Sequence, residues 1–300
     1  MRFCKKICVI LILCLFFVTG CKFENNDMKN INIYTTIYPI NYLLTSLYGN
    51  YAKIYSIYPA GVDINKYKIS NRKLKEYSES DLFVFNSLDK DRTYAVKMIN
   101  NNSKLKVIDV ATGMKYDNSV LELWMNPYNY LMMAENIKKG LSEYINNPYL
   151  IEEVNNNYEK LEYDVSKIDA DLTEMAKDAK YKTIVVDDDM FKFLEKYGLN
   201  VISLENNEEL SLNKVEEVKK LIADKKIKYI YLANKGNSNQ TINNLISTTG
   251  VQGVSINTMY SIEGGITTTN DDYLTIMKSN INLIEQELYK DTPSVEALTQ

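Results

Sequence analysis

No imidazole is available to this chain, because its 300 residues contain no histidine. That removes histidine general-base catalysis, every His-containing nucleophilic triad and the commonest transition-metal ligand. Thiol chemistry is nearly as restricted, since Cys4, Cys8, Cys14 and Cys21 all fall in the first 21 residues. The chemistry left is that of oxygen: carboxylates, including the run Asp187-Asp188-Asp189, side-chain amides and 24 tyrosine hydroxyls. Paired carboxylates serve glycosidases, but nothing beyond their presence argues for an extracytoplasmic hydrolase. Asp188 and Asp189 precede Met190, where a helix N-terminus would favour acids. Tyrosines can line a cleft for an organic solute, although most lie at strand or helix spacing and read as packing. Gly264-Gly265 reads as a turn, and no Gly-x-Ser-x-Gly, Walker or dinucleotide fingerprint occurs.

The elements that must position these groups are globular. Hydrophobic residues make up 45% of the chain and charged residues 25%, values that fit packed α/β structure rather than disorder or a polytopic membrane protein. The net charge of −4 carries no footprint for a nucleic-acid backbone. Arg2, Lys5 and Lys6 precede an apolar run from Ile7 to Val18. Twelve residues reach only about 18 Å as a helix, too short to span a bilayer but suited to a signal peptide. Val18-Thr19-Gly20-Cys21 resembles the lipobox of bacterial lipoproteins, so residues 1–20 are expected to leave and Cys21 to carry a lipid anchor. Cleavage would take the net charge from −4 to −7 with the loss of Arg2, Lys5 and Lys6. The mature chain would keep Cys21 alone, with no disulfide and no cysteine metal site. Residues 21–30 then read as a polar tether at the membrane surface.

Strand-like and helix-like runs alternate through the body. Residues 30–38, 51–58, 82–86 and 105–110 read as strands, with helices at 40–48, near 74–80 and at 94–101. The second half repeats the order, with strands at 183–188, 200–204, 227–234 and 251–257. Its helices fall at 190–197, at 212–225 after Ser211, near 241–248 and from about 271 to 289. This order predicts α/β lobes, each a parallel sheet flanked by helices. Between them Ile151, Val154, Tyr158, Leu161, Val165, Ile168, Leu172 and Met175 form an apolar stripe on a helix of about 30 residues. A homodimeric coiled coil is one reading. A rigid connector packed against both lobes of a monomer is preferred, because α/β units lie on either side. The expected organisation is an N-terminal lobe over 31–147, a connecting helix over 148–180, a C-terminal lobe over 181–290 and a frayed tail over 291–300.

Six segments in order, TTIYPINYLL (35–44), PAGVDINKYKIS (59–70), SDLFVFN (80–86), LWMNPYNYLMMAENI (123–137), FLEKYGLNVISL (193–204) and IEGGITTTNDDYLTIMKSNI (262–281), resemble the metal-binding solute-binding lipoproteins of ABC importers, of the zinc and manganese type. The resemblance implies two α/β lobes, a long rigid connecting helix and a cation site in the cleft between the lobes. It also implies an ABC permease as membrane partner, an extracytoplasmic location at the bacterial cell membrane and no enzymatic activity. Trp124 and Pro127 fit the family's loop and read as structural.

The family's ligands do not carry over as residue types. Asn65 stands at the first histidine position, Glu122 at the second and Asp187 at the third, with Ser261 or Glu263 nearest the acidic fourth. The resemblance therefore implies an oxygen-only metal set of Asn65, Glu122, Asp187 and Glu263. Oxygen donors suit Mn²⁺, Mg²⁺ or Ca²⁺, whereas zinc sites are built on nitrogen and sulfur. Converging carboxylates without a cation would hold at least one proton. The cargo is thus a divalent cation (Mn, Zn, Ca or Mg) or another small solute. The alternative is a non-transporting adhesin, scaffold or sensor on the same fold, its carboxylates merely solvated.

Overall fold

The computed structural model describes residues 28–59, 61–205, 211–233, 239–260 and 272–289. The expected signal segment, Cys21, Ser261, Glu263 and the frayed tail lie outside the described residues.

The N-terminal lobe is built from β1 (Ile31–Thr35), α1 (Tyr38–Tyr48), β2 (Ala52–Ser56), α2 (Asn71–Tyr77), β3 (Leu82–Phe85), α3 (Asp91–Asn101) and β4 (Lys106–Asp109). Its sheet runs in the order β2-β1-β3-β4 and every pairing is parallel. All four residues of β3 are buried, as a strand covered by helices on both faces requires. Two further helices, α4 (Glu122–Met125) and α5 (Pro127–Tyr144), complete this half. Sequence reading assigned no helix to α5. Its signals are present all the same: Asn126 caps Tyr128 N at 3.2 Å and Pro127 takes the first turn. Tyr130, Met133, Ala134, Ile137 and Leu141 form the buried face, at helical spacing.

The C-terminal lobe has β5 (Thr183–Val186), β6 (Asn200–Ser203), α7 (Leu212–Ala223), β7 (Tyr229–Leu232), α8 (Gln240–Thr249), β8 (Gln252–Ser255) and α9 (Tyr273–Leu288). Its sheet repeats the first, in the order β6-β5-β7-β8 and again wholly parallel. The helix expected at 190–197 is present as a 3-10 helix, Asp189–Tyr197. Gly198 ends it at φ 91°, a left-handed turn that favours glycine.

The connector is α6 (Pro148–Asp178), 31 residues in one helix, about 46 Å long. Asn147 caps it and its stripe from Leu150 to Met175 is buried. The N-terminal half packs on α1 and α5, and the C-terminal half on α9 and the 3-10 helix. Polar contacts follow the same division. Asn157 Nδ2 donates to Leu47 O at 3.1 Å, while Asp169 Oδ1 accepts from Tyr197 OH at 2.6 Å and Met175 O accepts from Tyr289 OH at 2.8 Å. The stripe is thus consumed within one chain. One apolar core runs from the first sheet through α6 to the second, and a smaller cluster lies under α7 and α8. Met28, within the stretch read as tether, is buried and its carbonyl accepts Tyr48 OH at 2.5 Å.

Candidate functional site

In each sheet the strand order reverses between the two central strands, β1 and β3 in one lobe and β5 and β7 in the other. Open parallel sheets place ligands outside the carboxyl ends of their strands at that reversal. Asp187 stands at this point in the C-terminal lobe. Its backbone N–H extends the ladder to Tyr231 O at 3.0 Å, and its Oδ1 accepts Ala233 N–H at 2.7 Å. Burial, with smaller contributions from the charges of Asp188 and Glu205, pushes its carboxyl up to about 7 against the Ala233 hydrogen bond. A group so placed is half-committed to holding a proton, and a bound cation would displace it.

Its neighbours are organised by the turn into the 3-10 helix. Asp188 Oδ1 caps Met190 N at 2.7 Å, and the Ser119 hydroxyl of the other lobe also lowers its pKa, but burial raises the carboxyl overall. Glu205 accepts Asp189 N–H at 2.9 Å, and burial raises its carboxyl too. Asp189 pairs with Lys192 at 2.9 Å. The dipole reading of Asp188 and Asp189 thus describes their local role, while Asp187 points to the strand ends.

The other sequence-derived positions have different surroundings. Glu122 is buried on α4, accepts Asn118 Nδ2 at 2.7 Å and is raised chiefly by burial. It faces a hollow of about 650 Å³ whose lining includes neither Asn65 nor Asp187. Asn65 is exposed in the loop after β2, and its backbone N–H closes a turn on Asp63 Oδ1 at 3.0 Å. Lys90 Nζ donates to the adjacent Ile64 carbonyl. Among the described residues no three acidic side chains converge closely enough to hold a metal.

Sequence reading missed the reversal point of the first sheet. Thr35, Thr36, Asn86 and Asp91 are buried at the carboxyl ends of β1 and β3 or just beyond. Asp91 Oδ1 accepts Tyr58 OH at 2.9 Å, whereas Asp91 Oδ2, Thr35 Oγ1, Thr36 Oγ1 and Asn86 Nδ2 have no full hydrogen bond. Burial lifts the Asp91 carboxyl to about 7, Asp89 adds to it, and nearby Thr36, Tyr58 and Lys90 pull it down. An acid in the charged run Asp89-Lys90-Asp91-Arg92 gave no sign in the sequence that it would be enclosed.

The lobes are tied together beside these sites. Trp124 Nε1 donates to Thr258 O at 2.7 Å, and its ring stacks on Tyr260 at 5.7 Å. Tyr260 OH donates to Asp89 Oδ2 at 2.9 Å, and Tyr273 OH to Trp124 O at 2.7 Å. Tyr273 also stacks on Tyr130 with centroids 3.9 Å apart. Trp124 is therefore an inter-lobe strut, and these tyrosines pack.

Comparison with known proteins agrees with this architecture. Residues 33–287 match the family described as zinc-uptake complex component A, periplasmic (ZnuA). The zinc-binding lipoprotein AdcA of Streptococcus pneumoniae is 24% identical over 97% of this chain and 63% of its own length. This chain thus spans about three fifths of that curated relative. The Zn(II)-bound ZnuA-like domain of the same AdcA superposes with a TM-score of 0.69 at 23% identity, covering 86% of this chain and 99% of the domain. The laminin-binding adhesin Lmb of Streptococcus agalactiae gives a TM-score of 0.69 at 18% identity, with 86% and 100% covered. With two parallel-sheet lobes on one long helix, and a family match over most of its length, the chain belongs to the ZnuA family of metal-binding solute-binding proteins of ABC importers.

Proposed function

We propose that this protein is the solute-capturing lipoprotein of an ABC importer, anchored at Cys21 outside the bacterial cell membrane and delivering a divalent cation to a membrane permease. It acts as a monomer and not as an enzyme. The observation that carries the reading is Asp187, a half-buried carboxylate at the β5/β7 reversal that burial lifts to about 7, on a scaffold whose relative AdcA is named zinc-binding.

Asn65, Glu122, Asp187 and Glu263, with Ser261 as the other fourth position, form the proposed oxygen-donor set. Asp187 is its anchor. The absence of histidine favours a hard cation such as Mn²⁺ over zinc. Because Glu122 and Asn65 lie in separate surroundings, their joining Asp187 around one cation requires a rearrangement of the loop that bears Asn65 and of the helix that bears Glu122. The test is the melting temperature of metal-stripped protein against Mn²⁺, Zn²⁺, Ca²⁺ and Mg²⁺. A ligand at a hundred times its Kd adds about 2.7 kcal/mol, and the shift should vanish in Asp187→Ala. Absence of any shift would refute cation capture.

The fold shared with the laminin-binding adhesin Lmb supports a second reading, a surface adhesin with no cargo. Metal-independent binding of the purified protein to laminin, with no cation response, would select it.

A further inference from the structure

The peptide group that joins Ile64 to Asn65 is held at both ends. Its N–H donates to Asp63 Oδ1 at 3.0 Å, and its carbonyl accepts Lys90 Nζ, from the residue that precedes α3. Asp63 to Tyr67 otherwise fold into a turn of their own, with the N–H groups of Lys66 and Tyr67 on Asp63 O at 3.0 and 2.8 Å. Two further contacts seat this turn on the N-terminal lobe. The Ile64 side chain is buried, and the Tyr67 ring stands edge-on to Tyr58 with centroids 6.3 Å apart.

Lys90 is committed to the same place. Its backbone N–H donates to Asp89 Oδ1 at 2.6 Å, and its ammonium lies 5.6 Å from the centre of the Tyr58 ring, within cation–π range. Tyr58 is fixed in turn by its bond to Asp91. Among the described residues the ammonium forms no ion pair, and its hydrogen bond goes to the Ile64 carbonyl. Of the contacts between the turn and the lobe it is the one that carries a charge, and charge-assisted hydrogen bonds are the stronger kind.

Asn65 belongs to the proposed oxygen-donor set, and its joining Asp187 requires this loop to rearrange. The bond from Lys90 belongs to the loop as it stands, so it opposes that movement. An ammonium one peptide away from Asn65 also repels a divalent ion brought there. Both effects have the same sign.

We propose that Lys90 is a positioning residue for cation capture: its ammonium fastens the Asn65 loop in the cation-free protein and weakens capture until the loop is released. The inference rests on the cation reading above and names the residue that sets its affinity.

The test is isothermal titration of metal-stripped mature protein with Mn²⁺, beside trypsin cleavage after Lys66 and Lys68 followed by mass spectrometry with chelator present. Both lysines are exposed. Lys90→Met should bind Mn²⁺ roughly fivefold more tightly or better, and be cut in the loop roughly fivefold faster or more, because a charge-assisted bond of the free form is gone. Lys90→Arg keeps the charge and a donor, and should return both readouts toward the parent. Lys90→Gln carries the expectation of Lys90→Met if that variant does not fold. Parent affinity or parent cleavage rate in the uncharged variant, or Lys90→Arg behaving like it, would overturn the inference while Mn²⁺ still binds. No Mn²⁺ binding by parent or variant would refute cation capture itself, and the inference with it.

Discussion

Asp91→Asn in the metal-free protein should stabilise the fold at pH 8 and leave it nearly unchanged at pH 4. The carboxyl ordinarily titrates near 3.8 and is lifted here to about 7 by burial. Below about pH 4 it is neutral in both the folded and the unfolded chain and costs nothing. Between there and pH 7 the folded chain keeps a proton that the unfolded chain has lost, so stability falls as pH rises. Above pH 7 the full penalty is present. At about 1.36 kcal/mol per tenfold shift in the proton equilibrium, the ceiling is about 4 kcal/mol. Local relaxation lowers this, so a gain of roughly 1–3 kcal/mol is expected. Asparagine keeps an acceptor for Tyr58 OH, and its amide N–H can meet Thr36 Oγ1, which lacks a full bond. Thermal melts at pH 4 and pH 8 with chelator present measure the effect, and each kcal/mol corresponds to about 2–4 °C in a protein near this size. A loss of stability at pH 8, or an equal gain at both pH values, would refute the account of Asp91 as an enclosed and poorly compensated acid.

Three further variants probe the scaffold. Ile168→Ala, at a fully buried position of α6, should cost about 2–5 kcal/mol in urea unfolding; a loss under 1 kcal/mol would mean the stripe is not packed. Tyr273→Phe removes the hydroxyl bonded to Trp124 O at 2.7 Å and should cost about 1–3 kcal/mol by leaving a buried carbonyl unpaired; unchanged stability would count against the inter-lobe strut. Gly140→Ala would bring a Cβ within 2.7 Å of the Ile108 side chain and should cost about 1–3 kcal/mol. Ile108→Val in the same chain should recover part of that loss, and failure to do so would place the strain elsewhere.

The parts of the fold legible in the sequence were those whose burial is periodic. Leu82–Phe85 and Thr183–Val186 are apolar runs of strand length, and both became central strands of parallel sheets. The three-and-four spacing from Ile151 to Met175 became one helix, with the coiled-coil alternative absorbed by packing on both lobes. Helix α5 carries a plain start signal in Asn126-Pro127 and a buried face at helical spacing, so its absence from the expected order reflects no lack of local signal. The candidate site was less legible. Asp187 follows from the family resemblance by counting back from Tyr197-Gly198-Leu199, and it stands at a sheet reversal. The burial of Asp91 depends on the meeting of β1, β3 and α3, and a charged tetrapeptide carries no periodicity to announce it. Glu122 stands among the four ligand positions that the resemblance implies, and its side chain lies in a hollow that residues 113–132 share with residues 192–196 of the other lobe, a meeting no local pattern announces.

The most direct test of the oxygen-donor importer reading is elemental analysis of the mature protein and of Asp187→Ala, each equilibrated with equal Mn²⁺ and Zn²⁺ and then desalted. The account predicts about one equivalent of metal in the parent protein, manganese in excess of zinc, and none in Asp187→Ala. A metal-free parent, or a full equivalent of zinc retained by the variant, would contradict it.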